Sequence, residues 1–259
     1  MEDKRRSIAR YYDFWAKQTD DIEFYVSQII PEDRTVLELG CGTGRVLIPL
    51  SRQCDFIVRV DKSRSMLAFC QEKLQKNQIS PNNAALVCED IASLNLQRKF
   101  GLIIAPFRVF QNIETDDDVD GFFHGIHRHL SPHGCCILNV FKPNAPLRDL
   151  LEIWRDPEEI FSWEKSLGSG VLKHNYQMKR IKEEPLIIYP ELIYKYYEGE
   201  ELVDEVSSIV PIRVYYADEF REVIMVHGFS IIETWGGYRG EKYGEGPELV
   251  IKFMKETSC

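Results

Sequence analysis

The sequence has no C-x-x-C pair and no short cysteine and histidine ligand spacing, and its seven cysteines, Cys41, Cys54, Cys70, Cys88, Cys135, Cys136 and Cys259, are odd in number. Neither a disulfide framework nor a zinc site is signalled. Most of these thiols stand in apolar surroundings, where a free cysteine behaves as a small core residue. No stretch approaches the ~20 apolar residues that a membrane helix requires, so no membrane partner is expected. The opening Met1-Glu2-Asp3-Lys4-Arg5-Arg6 leads into no apolar signal core, which together with reduced thiols predicts a soluble, cytoplasmic protein. Basic residues are in deficit too: 32 Lys and Arg against 41 Asp and Glu leave a net charge of −9. Nucleic acid is therefore not an expected partner, because phosphate neutralisation needs a basic face. Repeats and low-complexity segments are missing as well. What is present is 259 residues, 44% hydrophobic and 28% charged, enough for one α/β core that carries an insertion.

Residues 7–15 and 21–30 read as two helices, with Ile22, Tyr25, Val26 and Ile29 at helical spacing and Pro31 ending the second. From residue 35 an alternation begins: apolar run 36–39, helix 46–52, run 56–60, helix 63–76, then runs 84–88 and 102–105. Strands alternating with helices predict a parallel sheet. Ser63 is a suitable N-cap ahead of Met66, Leu67, Cys70 and Leu74. Thr115 with Asp118 resembles a capping box for a helix whose apolar face is Val119, Phe122, Phe123, Ile126 and Leu130. That helix is expected to stop at Ser131-Pro132-His133-Gly134, ahead of a strand over 135–141. Pro49 falls just past the first turn of its helix, where a lost hydrogen bond or slight kink is expected. After Pro143 the rhythm changes, and three extended runs within 171–210, with Ile188, Leu192, Tyr194 and Tyr196 on one face of the middle run, predict an antiparallel insertion. A helix capped by Asp218, carrying Phe220, Val223 and Ile224 and closed by Gly228, then precedes strands over 230–235 and 248–254.

Chemistry concentrates in Val36-Leu37-Glu38-Leu39-Gly40-Cys41-Gly42-Thr43-Gly44-Arg45, a strand running into a glycine-rich turn and a helix. Glycines let the backbone turn sharply and approach a ligand without an intervening Cβ. Asp61 closes the next strand 21 residues after Gly40, where a carboxylate can accept both ribose hydroxyls, so a nucleoside is implied. Arg45 stands where a dinucleotide fingerprint wants glycine or alanine, and Glu38 would repel a diphosphate. A cationic ligand without phosphate suits these residues better, and S-adenosyl-L-methionine carries an ammonium and a sulfonium.

The stretch 37–45 closely resembles the first motif of the class I S-adenosylmethionine-dependent methyltransferases. Val60-Asp61-Lys62-Ser63 with Met66 resembles their second-strand motif, Cys88-Glu89-Asp90-Ile91 their adenine-binding motif, 100–107 their fourth strand, and His129-Leu130-Ser131-Pro132-His133-Gly134 their turn into strand five. Outside that core, Tyr11-Tyr12-Asp13-Phe14-Trp15 is similar to the lid of the small-molecule branch, which includes aminosugar and glycine N-methyltransferases. The resemblance implies a Rossmann-like α/β fold: a seven-stranded, mostly parallel sheet with helices on both faces and an antiparallel insertion after strand five. It divides the chain into an N-terminal helical lid (1–34), a cofactor-binding core (35–142), a substrate-covering insertion (143–210) and a helix and strands completing the core (211–259). It further implies that Tyr12 closes over the cofactor, that Glu38 holds the methionyl ammonium and that Gly40, Cys41 and Gly42 line the methionyl part. Asp61 takes the ribose, Met66 or Lys62 flanks the adenine, Asp90 accepts its exocyclic amine, Ile91 lies against it, and Ala105 ends strand four beside the ligand.

Methyl transfer is an in-line displacement that needs alignment more than acid-base chemistry, so no fixed catalytic residue is expected. Base-modifying and glutamine-modifying relatives carry Asn or Asp-Pro-Pro-Tyr, or Pro-Cys, at strand four; Ala105-Pro106-Phe107-Arg108 stands here instead. Aminopropyl transfer is disfavoured for want of paired aspartates there. The acceptor expected is a small molecule, nitrogen favoured over oxygen, with Tyr194, Tyr196, Tyr215 or Tyr238 as candidate pocket walls. A hydroxyl acceptor would need a base, for which His124 or Tyr12 is a guess. The alternatives are a non-catalytic cofactor-binding regulator and a methyltransferase acting on RNA or protein. Tyr12 and Trp15 also read as plain core residues, His124 and His127 lack a carboxylate at ligand spacing and predict no metal, and 116–118 reads as the acidic first turn of a helix.

Overall fold

The computed structural model describes residues 3, 5–14 and 20–256; Trp15 and Cys259 lie outside them. In chain order the elements are α1 (Ala9–Tyr12), α2 (Asp20–Ser27), β1 (Thr35–Leu39), α3 (Leu47–Ser51), β2 (Phe56–Val60), α4 (Arg64–Lys76), β3 (Ala84–Val87) and β4 (Phe100–Ala105). A 3-10 turn (Val109–Asn112), α5 (Asp116–His129), β5 (Leu130–Phe141) and α6 (Leu147–Trp154) follow. The chain continues as β6 (Glu159–Leu167), β7 (Gly170–Lys182), β8 (Ile187–Glu198), β9 (Glu201–Ile209), β10 (Ile212–Arg213), α7 (Ala217–Val226), β11 (Phe229–Trp235) and β12 (Glu248–Lys255).

Seven strands form one sheet in the order β11-β12-β5-β4-β1-β2-β3. All its pairs are parallel except those of β12, which runs against both neighbours. Alternation along each strand divides the core into two layers. Leu37, Leu39, Ile103, Ala105, Cys136 and Leu138 pack on one face with Phe122, Phe123 and Ile126 of α5. Val36, Leu102, Ile104, Cys135 and Ile137 pack on the other with Leu50 of α3 and Leu67, Cys70 and Leu74 of α4. Both faces are thus covered, as a parallel sheet requires. The remaining strands form an antiparallel sheet after β5, in which β8 lies between β7 on one side and β9 and β10 on the other.

That second sheet leans on the N-terminal segment and α4. Leu172, Leu192 and Tyr194 are buried against Ile8, Ala9 and Tyr11 of the N-terminal segment and Met66 of α4, with Tyr196 partly buried beside them. Ile188 is buried but lies outside this cluster. The Tyr11 hydroxyl donates to Asp204 at 2.5 Å, and Asp3 accepts the Ser65 backbone N–H at 2.9 Å, so the N-terminal segment bridges β9 and α4.

Local signals hold at several ends. The Ser63 hydroxyl accepts the Met66 N–H at 3.1 Å, Thr115 accepts that of Asp118 at 3.1 Å, and Gly228 has φ +77°. Four expectations are corrected. Pro49 lies inside the first turn of the five-residue α3, where its missing N–H has no partner to lose. β5 begins at Leu130, directly after α5, and its pairing with β4 slips from Phe100 opposite Leu130 to Leu102 opposite Cys135; Ser131 to Gly134 bulge out of a strand instead of preceding it. The cap of α7 is Tyr216, whose N–H donates to Glu219 at 2.8 Å, and Asp218 sits within the first turn. The insertion has a strand ahead of the three expected, β6, and a helix, α6, before it.

Candidate active site

Strand order reverses between β1 and its neighbours β4 and β2, and open α/β sheets take ligands at that point, beyond the carboxyl ends of the strands. There Gly40 and Gly42 have φ of +68° and +54°, left-handed backbone that a Cβ strains. The turn is stitched to β2. The amides of Gly40 and Cys41 both donate to the Val60 carbonyl, at 2.7 and 3.0 Å, and that of Gly42 donates to one carboxylate oxygen of Asp61 at 2.8 Å. The other oxygen takes the Ser63 N–H at 2.8 Å. A Cβ on Gly42 would stand 3.7 Å from Cε1 of Tyr12, so that ring lies over the turn.

Five residues named from the sequence, Tyr12, Glu38, Gly40, Cys41 and Gly42, come together around a small cleft. Thr43, Arg45 and Val46 from the start of α3 and Pro106, Phe107 and Val109 beyond β4 complete its lining. Asp61 is joined to the cleft through Gly42, and Lys62 faces Asp90 at 3.5 Å on the neighbouring strand end. Met66 is buried beneath the N-terminal segment, Ile91 is half-buried against the α5 layer, and Ala105 is buried at the end of β4. These last three do not line the cleft. The four tyrosines named as pocket walls do not line it either. Tyr194 stacks on Tyr11, Tyr215 on Phe110, Tyr238 lies against Phe24 and Tyr25, and Tyr196 donates to the Leu167 carbonyl. His124 is exposed on the outer face of α5, in a surface hollow with His127, His227 and Asp120, so it is not placed to act as a base on anything in the cleft.

Charged groups missed in the sequence surround the turn. Arg59 of β2 donates from Nε to Glu38 at 3.1 Å, both side chains being inaccessible to solvent. Burial pushes the Glu38 carboxyl above its ordinary range, and the Arg59 guanidinium works against that. Arg45 grips Asp21 of α2 with two donors and lies 5.3 Å from the ring centre of Phe107. Burial opposes the Arg45 charge, but Asp21 more than offsets it, so its pKa is raised. Burial also raises Asp61 despite its two backbone donors, and raises Tyr12. Beyond β4, Phe107 and Arg108 are consecutive non-glycine residues with φ of +59° and +65°, a strained pair held from outside. The Arg108 N–H donates to Asn139 at 3.2 Å and its guanidinium to Glu248 of β12. Glu248 also accepts from Asn139 at 3.0 Å. Among the described residues no group of three or more His, Cys, Asp or Glu side chains is placed to hold a metal ion.

Residues 36–134 match the family model described as a methyltransferase domain. Over those residues the chain carries a methyltransferase domain. A curated relative, the putative methyltransferase YqeM of Bacillus subtilis, is 22% identical over 95% of this chain and 92% of its own length. Two solved structures share the fold. The S-adenosylmethionine-dependent methyltransferase of Clostridium acetobutylicum aligns with a TM-score of 0.76 at 17% identity, covering 96% of this chain and 98% of that one. The sugar N-methyltransferase KedS8 of a Streptoalloteichus species aligns at 0.72 and 15% identity, covering 96% and 92%. The cofactor of the methyltransferase domain is S-adenosylmethionine, and the residues present fit it. Gly42 leaves backbone open beside the Tyr12 ring that a side chain would fill, and the buried carboxylate in the lining, Glu38, matches a cation and not a phosphate.

Proposed function

We propose that this methyltransferase acts on a small soluble acceptor, at nitrogen in preference to oxygen, in the cleft between the glycine turn, Tyr12 and the end of β4. In this reading Glu38 receives the methionyl ammonium, the backbone of Gly40, Cys41 and Gly42 lines the methionyl chain, and Asp61 receives the ribose. Lys62 or Met66 flanks the adenine, Asp90 accepts its amine, Ile91 lies against it, and Ala105 ends the strand beside the ligand. Tyr12 covers the site, and residues 143–210 screen the acceptor through their packing on the N-terminal segment. The cofactor brings a methyl group already activated on a sulfonium. What remains for the protein is to hold the acceptor in line and keep water out.

The observation that supports the choice of nitrogen is that, among the described residues, the cleft lining offers no usable base. Burial raises the Tyr12 phenol. The Cys41 thiol is driven well above its usual range by its contact with Cys70 and by burial. Glu38 is committed to Arg59 and Arg45 to Asp21. A hydroxyl must lose its proton to attack, whereas a neutral amine presents its lone pair directly. The likeness to KedS8, named for sugar N-methylation, is consistent with such an acceptor. The test is transfer of radiolabel from the cofactor to a fractionated cell extract, followed by a panel of amines and their hydroxyl counterparts. Label is expected in the small-molecule fraction and on the amines. Label confined to RNA or protein, or turnover of the hydroxyl series alone, would overturn the proposal.

A further inference from the structure

Glu38 and Arg59 stand directly opposite one another on the parallel strands β1 and β2. Strict alternation turns both side chains to the layer under α3, where Ile57 of β2 and Val36 of β1 are otherwise apolar neighbours. The Arg59 fork reaches two elements at once: Nε donates to Glu38 at 3.1 Å and Nη2 donates to the Ser51 hydroxyl on α3 at 2.8 Å. Burying two ions in this way is a poor source of stability, since an apolar pair of similar volume commonly does as well or better. Of the two, only Glu38 reaches the cleft. We infer that Arg59 is a positioning residue for the cofactor site, one that keeps the Glu38 carboxylate charged and aimed at the cleft. This rests on the role proposed above for Glu38.

Among the described residues, the groups that act on Glu38 have known signs. Arg59 reaches it from β2, Arg45 from the start of α3, Asp61 from the end of β2, and the neutral thiol of Cys41 from the turn. Burial is the largest influence and favours the protonated acid; Arg59 is the largest opposing one, Arg45 adds to it, and Asp61 works against both. With the Arg59 charge removed, one cation is left against burial and a second carboxylate. Glu38 then takes up a proton nearer neutrality, and a neutral acid has little attraction for an ammonium.

The probe is S-adenosylhomocysteine, which keeps the amino-acid end of the cofactor and cannot react. Its affinity is measured by calorimetry between about pH 5.5 and 7.5 for wild type, Arg59→Lys, Arg59→Gln, Arg59→Met, Glu38→Gln and the Arg59→Met, Glu38→Gln double variant. Wild type and Arg59→Lys are expected to show nearly flat profiles. Arg59→Gln and Arg59→Met are expected to bind about tenfold more weakly at the acid end and to recover as pH rises, up to tenfold per pH unit being the limit for one proton. Glu38→Gln is expected to be weak and flat, and the double variant no weaker than Glu38→Gln alone. Should Arg59→Met fail to fold, Arg59→Gln carries the comparison, because it keeps a donor without the charge. A flat loss in the neutral variants, wild-type affinity in them, or additive losses in the double variant would overturn the inference. Wild-type affinity in Glu38→Gln would instead overturn the placement of Glu38 itself.

Discussion

Asp61 gathers two backbone N–H groups on one carboxylate, from Gly42 and from Ser63, and that arrangement decides what can replace it. Asparagine has the same shape but one acceptor oxygen, so its NH2 must face one of those two donors. Leaving a largely buried N–H without an acceptor costs about 1–3 kcal/mol. Asp61→Asn is therefore expected to lower unfolding stability in urea by that amount and to weaken cofactor binding, since the same carboxylate is assigned to the ribose. Unchanged urea stability would show that the glycine turn does not depend on these bonds. Asp61 was legible from the sequence because chemistry and spacing coincide: a carboxylate ending an apolar strand just beyond a glycine turn. Arg59 was legible in principle, as the one charge inside Phe56-Ile57-Val58-Arg59-Val60, but it gained a meaning only once register set it opposite Glu38. Arg45 and Asp21 could not be paired, because no periodic spacing links α2 to the start of α3. Tyr194 and Tyr196 misled for a physical reason: aromatic enrichment in an antiparallel sheet marks whichever face is buried, and here that face packs on α1 instead of opening to a ligand; Tyr215 and Tyr238 pack in the two layers of the larger sheet.

At the level of elements, the glycine turn separates two costs that a substitution usually confounds. Gly40→Ala places a Cβ 2.4 Å from Val109 Cγ1 in left-handed backbone, combining overpacking with conformational strain for about 2–5 kcal/mol. Gly42→Ala has similar backbone strain but only the Tyr12 ring nearby, at 3.7 Å, so about 1–2 kcal/mol is expected. Its Cβ nevertheless stands between the turn and Tyr12, and its cofactor affinity is expected to fall out of proportion to its stability. Denaturant titration beside calorimetry on both variants checks this; proportional losses in the two would mean that Tyr12 does not cover the site. The Thr115 cap of α5 provides a control remote from the cleft, since Thr115→Ala is expected to cost about 1 kcal/mol with binding unchanged, and weakened binding would count against that separation. Strands buried on both faces, β1 and β2, were readable at once, and so was α4 from its one apolar face. β6 was not, because it is an edge strand whose first half is exposed, Ile160 and Phe161 included, and an inward face confined to Trp163 and Leu167 is too short a pattern to read.

Across the whole molecule, the smaller sheet is fastened to the N-terminal segment and α4 through a buried cluster, and a titratable ring stacks within its aromatic part. His174 of β7 stacks on Trp163 with centroids 5.1 Å apart and planes at 9°, and meets the edge of Tyr194 at 4.8 Å. Burial holds its pKa down to about 4. The unfolded chain binds that proton below about pH 6.5 while the folded chain does not until about 4. Stability present at neutral pH is thus lost progressively as pH falls through that window, by about 3 kcal/mol in all. His129 acts in the same direction: its Nε2 accepts the Leu96 N–H and its Nδ1 donates to the Gly125 carbonyl, so the neutral ring is fully paired, and burial lowers its pKa. Glu38 and Asp61, raised by burial, act oppositely, since the folded state is the better proton acceptor there. The net slope therefore reports no single group, but a difference between two proteins does. His174→Phe keeps a planar ring between Trp163 and Tyr194 and removes the proton. Its stability in urea is expected to match wild type near pH 7 within about 1 kcal/mol and to exceed it by about 2–3 kcal/mol at pH 4.5, the gap opening as pH falls below 6.5. Parallel curves across that range would mean that the aromatic stack of Trp163, His174 and Tyr194 tolerates a charged imidazole.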